Sequence, residues 1–340
     1  MTHYMYVTIS QEDKISIFAT DPDTGKLDHR DDVAVSGRPA PLTIDPTRRV
    51  LHVGRRGIPE ISSYSIDQQT GGLSFIGTVP LEADPCYLST DRKGKFLLSS
   101  YYEGAHVAVH PIGENGSVKY PAVEWHRTAR GSHSIQTDRS NRFAFVPQIA
   151  GNGPNLILQF RFEDNTGHLM LNSPPAVAPK EILGPRHFCF HPSKDILYFS
   201  NEQGCSVTGY NFDPDKRTLT PFQTISTLPE GFTGRNTCSQ IQIHPSGKFL
   251  YAPNRGHNSI ACFRVDDTDG RLTSLGQTPS EAVPRAFSLD PEGKYLYAAG
   301  IESGRLAAYR VNQDTGELDP LETYPVGQAP MWVLITRLGE

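Results

Sequence analysis

Apolar and aromatic residues recur in short runs bounded by polar turns: Val50-Leu-His-Val53, Lys95-Phe-Leu-Leu98, Phe143-Ala-Phe-Val146, Ile196-Leu-Tyr-Phe199, Phe249-Leu-Tyr-Ala252 and Tyr295-Leu-Tyr-Ala298. Their branched and aromatic content predicts strands. Each follows a turn that opens on Asp or His, often with Pro or Gly: Asp45-Pro46, Asp91-Arg-Lys-Gly94, Asp138-Arg-Ser-Asn141, His191-Pro192, His244-Pro-Ser-Gly247 and Asp290-Pro-Glu-Gly293. These are hairpin residues, with Pro presetting φ and Gly supplying positive φ.

A second signal runs out of phase with the first. A polar turn, usually with Gly, leads into Leu or Val at Thr24-Gly-Lys-Leu27, Gly71-Gly-Leu73, Asn115-Gly-Ser-Val118, Thr166-Gly-His-Leu169, Lys216-Arg-Thr-Leu219, Asp269-Gly-Arg-Leu272 and Thr315-Gly-Glu-Leu318. The closing residues are 46, 45, 51, 50, 53 and 46 apart. The fifth copy lacks Gly, which leaves room for another turn type. This period is too long for a solenoid coil and fits the four-stranded blade of a propeller better than two sandwiches. The run Met331-Trp-Val-Leu-Ile335 has no hairpin after it, and Tyr4-Met-Tyr-Val7 has none before it. Their pairing completes a last blade. The expected fold is all-β, a single seven-bladed β-propeller over residues 1–340, closed by its N- and C-terminal strands.

Length alone would suggest two domains, but all-β domains often exceed that rule. The 30 Gly and 27 Pro are spread along the chain, as turns require. The formal net charge is −5 with no basic stripe, which argues against nucleic acid or an anionic membrane as a general partner. A small anionic substrate stays open, because an acidic protein can hold a local arginine pocket. Met1 to Ser10 lacks the charged and apolar regions of an export signal, and no run reaches about 18 apolar residues, so neither export nor a membrane span is expected. Five widely spaced cysteines without C-x-x-C suit reduced thiols in a cytoplasm.

Inner strands of a propeller line its channel, and the loops at one end form a mouth. Before the inner strands lie Arg38-Pro-Ala-Pro41, Asp84-Pro-Cys86, Ser132-His-Ser134, Pro185-Arg-His187, Thr237-Cys-Ser239, Pro284-Arg285 and Ala329-Pro-Met331. After the second strands lie Arg55-Arg56, Tyr101-Tyr102, Gln148, Asn201-Glu202, Asn254-Arg255 and Glu302. Arginines bind carboxylate or phosphate and stabilise a carbonyl oxyanion, while His or Glu moves a proton. An inter-blade salt bridge is the structural alternative for such residues.

Gly184-Pro-Arg-His187, Asn201-Glu202, Ile243-His-Pro-Ser-Gly-Lys-Phe-Leu-Tyr251, Asn254-Arg-Gly-His257, Pro284-Arg285 and Gly327-Gln-Ala-Pro-Met-Trp332 resemble the bacterial lactonase family of seven-bladed propellers, itself similar to the fungal carboxymuconate lactonizing enzyme. The resemblance spans essentially the whole chain. It implies a cofactor-free, metal-free enzyme acting on a lactone at the channel mouth, with 6-phosphogluconolactone as the leading substrate. His133, Arg186, Glu202 and Arg255 match the family's site residues. Arg285 matches a further Pro-Arg position, and Arg55, Tyr101 and Gln148 are expected beside the substrate. In this reading the arginines hold the anionic group and polarise the carbonyl, and Glu202 or His133 activates water. A lactonizing or isomerising reaction uses the same residue types. A non-catalytic scaffold is the other alternative, although the Trp-Asp signature of the commonest scaffold repeats is missing.

Three further features read as structural. His187, Cys189 and His191 alternate along one strand, but His191 holds the turn position of the other repeats' Asp and is expected to cap a hairpin. Gly151-Asn-Gly153 lacks the rest of a phosphate loop. Ser132 and Ser134 flank His133 without a G-x-S-x-G elbow.

Overall fold

The computed structural model describes residues 2–339. Its 28 strands form seven four-stranded antiparallel sheets. In the first complete blade the strands run, from the channel outward, Pro39–Ile44, Val50–Arg55, Glu60–Ile66 and Leu73–Pro80. The pattern repeats to a sixth blade built from Pro284–Leu289, Tyr295–Gly300, Arg305–Val311 and Leu318–Pro325. The seventh takes its innermost strand, Pro330–Leu338, from the C-terminal end of the chain and pairs it with Thr2–Ile9. Tyr6 lies opposite Leu334 and Met5 opposite Ile335, so the two orphan runs of the sequence close the ring.

The core is divided among the seven sheet-to-sheet interfaces. Tyr6 and Ile17 of the seventh blade pack with Leu51 and Val53 of the first, and Phe145 of the third packs with Phe199 and Tyr210 of the fourth. The repeated outer turn takes part in this packing. Buried tyrosine hydroxyls of one blade donate to turn carbonyls of the next: Tyr6 to Gly71 at 2.9 Å, Tyr198 to Gly270 at 2.6 Å, Tyr251 to Gly316 at 2.8 Å and Tyr297 to Gly25 at 2.8 Å. Gly316 has φ 81°, and a Cβ there would sit 2.2 Å from Phe249 Cδ1. Glycine is needed both for the conformation and for the close approach. The fifth copy keeps the same left-handed position with Arg217 at φ 60°. Its turn is gripped by Gln159, whose Oε1 accepts from Leu219 N at 2.7 Å.

The other repeated turn is a side-chain cap. Asp45 Oδ1 accepts from Arg49 N and Val50 N, and Asp91 Oδ1 accepts from Lys95 N and Phe96 N. His191 also caps its turn, through Nδ1 and on nearer amides, accepting from Ser193 N and Lys194 N, as its position in the repeat suggested. These capped turns lie at one end of the channel. The starts of the inner strands and the ends of the second strands therefore share the opposite end.

Candidate active site

Arg186 enters the channel mouth from the start of the fourth blade's inner strand and is only 1% exposed. Its Nε donates to Glu202 Oε2 at 2.7 Å. Glu202 is the first residue past the strand Ile196–Asn201. Arg255, at the equivalent place in the fifth blade, sets Nη2 3.2 Å from the same oxygen and donates to Cys238 O at 3.0 Å. Arg285 and Arg56 line the same cavity as Arg186, together with His187, Gln240 and Trp332. Two guanidiniums thus share one carboxylate, and two more line the cavity beside them. Burial, then the neighbouring guanidiniums, lower Arg285 to about 9, and burial followed by Arg255 lowers Arg186 to about 10. Arg186 and Arg285 both remain charged at neutral pH. Arg186 Nη1 and Arg255 Nε are buried without a hydrogen-bond partner. Leaving such charged donors unpaired is costly, and an anion in the cavity would relieve that cost.

Beside the arginines lie two histidines. His133 Nδ1 and His187 Nε2 are 3.3 Å apart, and both side chains are buried. Burial, then Arg186, holds each imidazole well below its ordinary value, so both are neutral at pH 7. One N–H is shared between them, and the hydrogen-bond network decides the tautomers. When His133 Nδ1–H donates to His187, Nε2 of His133 keeps a free lone pair. Ser134 Oγ donates to Arg186 O at 3.0 Å, tying the His133 segment to the next inner strand. Ser134 is thereby a structural bridge, and Ser132 pairs with Thr128 Oγ1 at 2.7 Å.

An aromatic floor closes the site toward the channel interior. Tyr87 lies 5.0 Å from His187 and 5.6 Å from Trp332, ring centre to ring centre. Beyond it the channel wall carries Ser89, Thr137, Gln242 and one charged residue, Arg92.

Five of the eight site residues expected from sequence come together here: His133, Arg186, Glu202, Arg255 and Arg285. The structure directs Arg55, Tyr101 and Gln148 to other contacts, away from this cluster. Arg55 pairs with Glu60 Oε2 at 2.6 Å and Ser62 Oγ at 3.2 Å within its own sheet. Tyr101 is fully buried, stacked on His106 at 4.1 Å. Gln148 donates to Ala129 O and Ser132 Oγ at 2.9 and 3.0 Å, bracing the loop that carries His133. All three are the last residue of a second strand, and their side chains turn back into the sheet. The next residue is the one that reaches the mouth. Arg56 lines the cavity, and the Tyr102 ring lies 5.7 Å from that of His133. The pairs Asn201-Glu202 and Asn254-Arg255 carried this register: each asparagine bonds a hydroxyl of the next strand in its own blade, Thr208 and Ser259, and the residue after each faces the mouth. Applying it to every repeat selects Arg56 and Tyr102. His187, Gln240 and Trp332 were also missed as site residues, although His187 and Trp332 lie inside the quoted motifs.

A channel mouth with clustered arginines, one carboxylate and a neutral histidine pair, on seven four-stranded blades, defines a lactonase-type propeller. Residues 2–335 match the family described as lactonase, 7-bladed beta-propeller, and the chain belongs to that family. Among its relatives is the 6-phosphogluconolactonase of Pectobacterium carotovorum subsp. carotovorum (strain PC1), 35% identical over 340 residues that cover 99% of this chain and all of the relative. The 6-phosphogluconolactonase of Yersinia pestis (strain Pestoides F) is 34% identical over 336 residues, 98% of each chain. A putative 6-phosphogluconolactonase from Bacteroides uniformis superposes with a TM-score of 0.88 at 26% identity, covering 98% of this chain and 99% of that one. A periplasmic gluconolactonase of Pseudomonas aeruginosa shares the fold over the full length of both chains, with a TM-score of 0.91 at 23% identity. Among the described residues no helix is long and apolar enough to cross a membrane.

Proposed function

We propose that this protein hydrolyses 6-phosphogluconolactone to 6-phosphogluconate at the arginine-lined mouth. One observation carries the reading: two guanidiniums share a single carboxylate, two more lie beside them, and a neutral histidine adjoins the cluster. The surplus positive charge suits a phosphorylated substrate, and the full-length relatives bearing that activity's name support the same choice. Arg56 and Arg285 hold the phosphate. Arg186 directs its unpaired Nη1 to the ring carbonyl. Glu202 positions Arg186 and Arg255 and is already occupied by both, which leaves His133 as the base.

In the reaction, water attacks the ring carbonyl carbon and gives its proton to His133 Nε2. The oxyanion of the tetrahedral intermediate accepts from Arg186. The ring C–O bond then breaks, and the imidazolium returns the proton to the departing alkoxide. The product is a carboxylic acid with a free hydroxyl, and the acid then ionises to the carboxylate, releasing the proton that a pH-stat counts. Five free cysteines fit a reducing cytoplasm as the place of this chemistry.

The test is acid release on a pH-stat with freshly made 6-phosphogluconolactone. Wild type should exceed the spontaneous rate, and His133→Gln should lower kcat by about 10²–10⁴-fold with little change in KM. A fully active His133→Gln enzyme removes His133 as the base. No wild-type rate above background removes the lactonase reading itself.

A further inference from the structure

At the end of the channel opposite the mouth, the ring's closing seam holds three donor groups. His3 lies on the N-terminal strand, and Asp290 and Glu292 lie on the capped turn of the sixth blade. One ligand atom from each falls within 4.8 Å of the others. His3 Nε2 is 2.9 Å from Glu292 Oε2, so the ring's Nε2–H donates to that carboxylate. Nδ1 faces Asp290 Oδ2 at 3.9 Å, too far for a hydrogen bond. Both atoms are buried without a partner, on residues 3% and 1% exposed.

The other caps show that this arrangement is particular to one turn. The second carboxylate oxygen of Asp138 accepts from Ser140 N and Oγ, that of Asp91 accepts from Asn141 Nδ2, and that of Asp45 accepts from Thr47. Asp290 spends Oδ1 on Tyr295 N in the usual way. Two residues on, where Asp45 and Asp138 have Thr47 and Ser140, it has Glu292. The side-chain hydroxyl of those two turns is replaced by a carboxylate, which pairs with His3 of the seventh blade.

We propose that this seam binds a divalent transition cation of the zinc class, ligated by His3 Nδ1 and Asp290 Oδ2, with Glu292 orienting the imidazole. Ligand distances of about 2.0–2.2 Å to nitrogen and oxygen place the ion between the two orphaned atoms after they close by about half an ångström. A carboxylate on the far nitrogen of a metal-bound imidazole fixes its tautomer and ring orientation. Water completes the coordination. Arg337, with Nη1 3.4 Å from Glu292 Oε1, holds that carboxylate from its other side. The ion ties the N-terminal strand to the sixth blade and takes no part in lactone hydrolysis.

Untagged protein, stripped with chelator and dialysed against Zn²⁺ or Co²⁺, tests this by elemental analysis, by visible Co²⁺ absorption and by Tm. The expected result is one ion per chain, a Co²⁺ band and a Tm raised by Zn²⁺, with the pH-stat rate the same in stripped and loaded enzyme. His3→Gln should lose the bound ion. Asp290→Asn, which keeps the cap's acceptor oxygen, should lose it too, and Glu292→Gln should weaken binding by about 10–100-fold. Failure of wild type to retain stoichiometric metal, or equal retention by His3→Gln and Asp290→Asn, overturns the proposal. So does an NMR titration showing His3 doubly protonated at neutral pH in the presence of Zn²⁺, since a proton then fills the gap.

Discussion

Glu202→Gln separates two roles that a carboxylate among arginines could play. The amide keeps the shape and an oxygen that can accept from Arg186 Nε, but the negative charge is lost. Arg186 has a side chain only 2% exposed, and Glu202 is 16% exposed. Removing one partner of a buried ion pair costs about 3–5 kcal/mol, and the partial exposure of Glu202 places the cost near the lower end, about 3 kcal/mol. An unfolding entropy of about 0.7 kcal/mol/K for 340 residues turns that into a Tm lower by about 4 °C. Inorganic phosphate should narrow the gap, because the variant has one more uncompensated positive charge and binds the anion more tightly. Ligand at 100 times its Kd stabilises by about 2.7 kcal/mol. Scanning calorimetry in HEPES and in phosphate reads both effects. The kinetic consequence follows from orientation: guanidiniums released from Glu202 should lower kcat by about 10–100-fold. The acid limb of the pH–rate profile, which belongs to His133, should survive. A variant that is as stable as wild type in HEPES, or that loses the acid limb, would refute the reasoning; the latter result would make Glu202 the base.

Two further outcomes follow. Arg56→Ala should raise KM for the phosphorylated lactone by about 10–100-fold, as loss of one charged hydrogen bond implies, and leave the unphosphorylated lactone little affected. Arg55→Ala should leave both unchanged in steady-state kinetics, and the opposite pattern would overturn the register assigned to the mouth. His133, His187 and His52, the last lowered to about 4, have folded values depressed mainly by burial. Their stabilisation is full above about pH 6.5 and is lost as pH falls, because only the unfolded chain takes up the protons. Urea unfolding should give a lower stability at pH 5.5 than at pH 7.5, and equal stability at the two pH values contradicts the burial argument.

The architecture was legible because each blade repeats two turn chemistries that do physical work. The Gly of the outer turn meets a large side chain of the preceding blade, a ring in most copies, and the Asp or His of the inner turn caps backbone amides. Both demands act on residue identity at fixed spacing. Arg217 shows the limit, since the turn persists without its Gly. The site was legible where a residue stood beside a marker such as Asn201 or Asn254. Arg55, Tyr101 and Gln148 were misplaced by one residue, because strand ends alternate between sheet and mouth, and doublets such as Arg55-Arg56 offer similar chemistry at both positions. His187 was hidden for another reason. Its neighbours Cys189 and His191 suggested a shared strand face, whereas its actual partner, His133, comes from the preceding blade and no local spacing connects them.

The central claim is that the arginine mouth selects a phosphorylated lactone for hydrolysis. Its most direct test is the ratio of kcat/KM for 6-phosphogluconolactone to that for glucono-lactone, measured on the pH-stat with spontaneous hydrolysis subtracted. The account predicts a ratio of about 100 or more, the equivalent of about 2.7 kcal/mol from the phosphate contacts. A ratio near one, or a preference for the unphosphorylated ring, would contradict it.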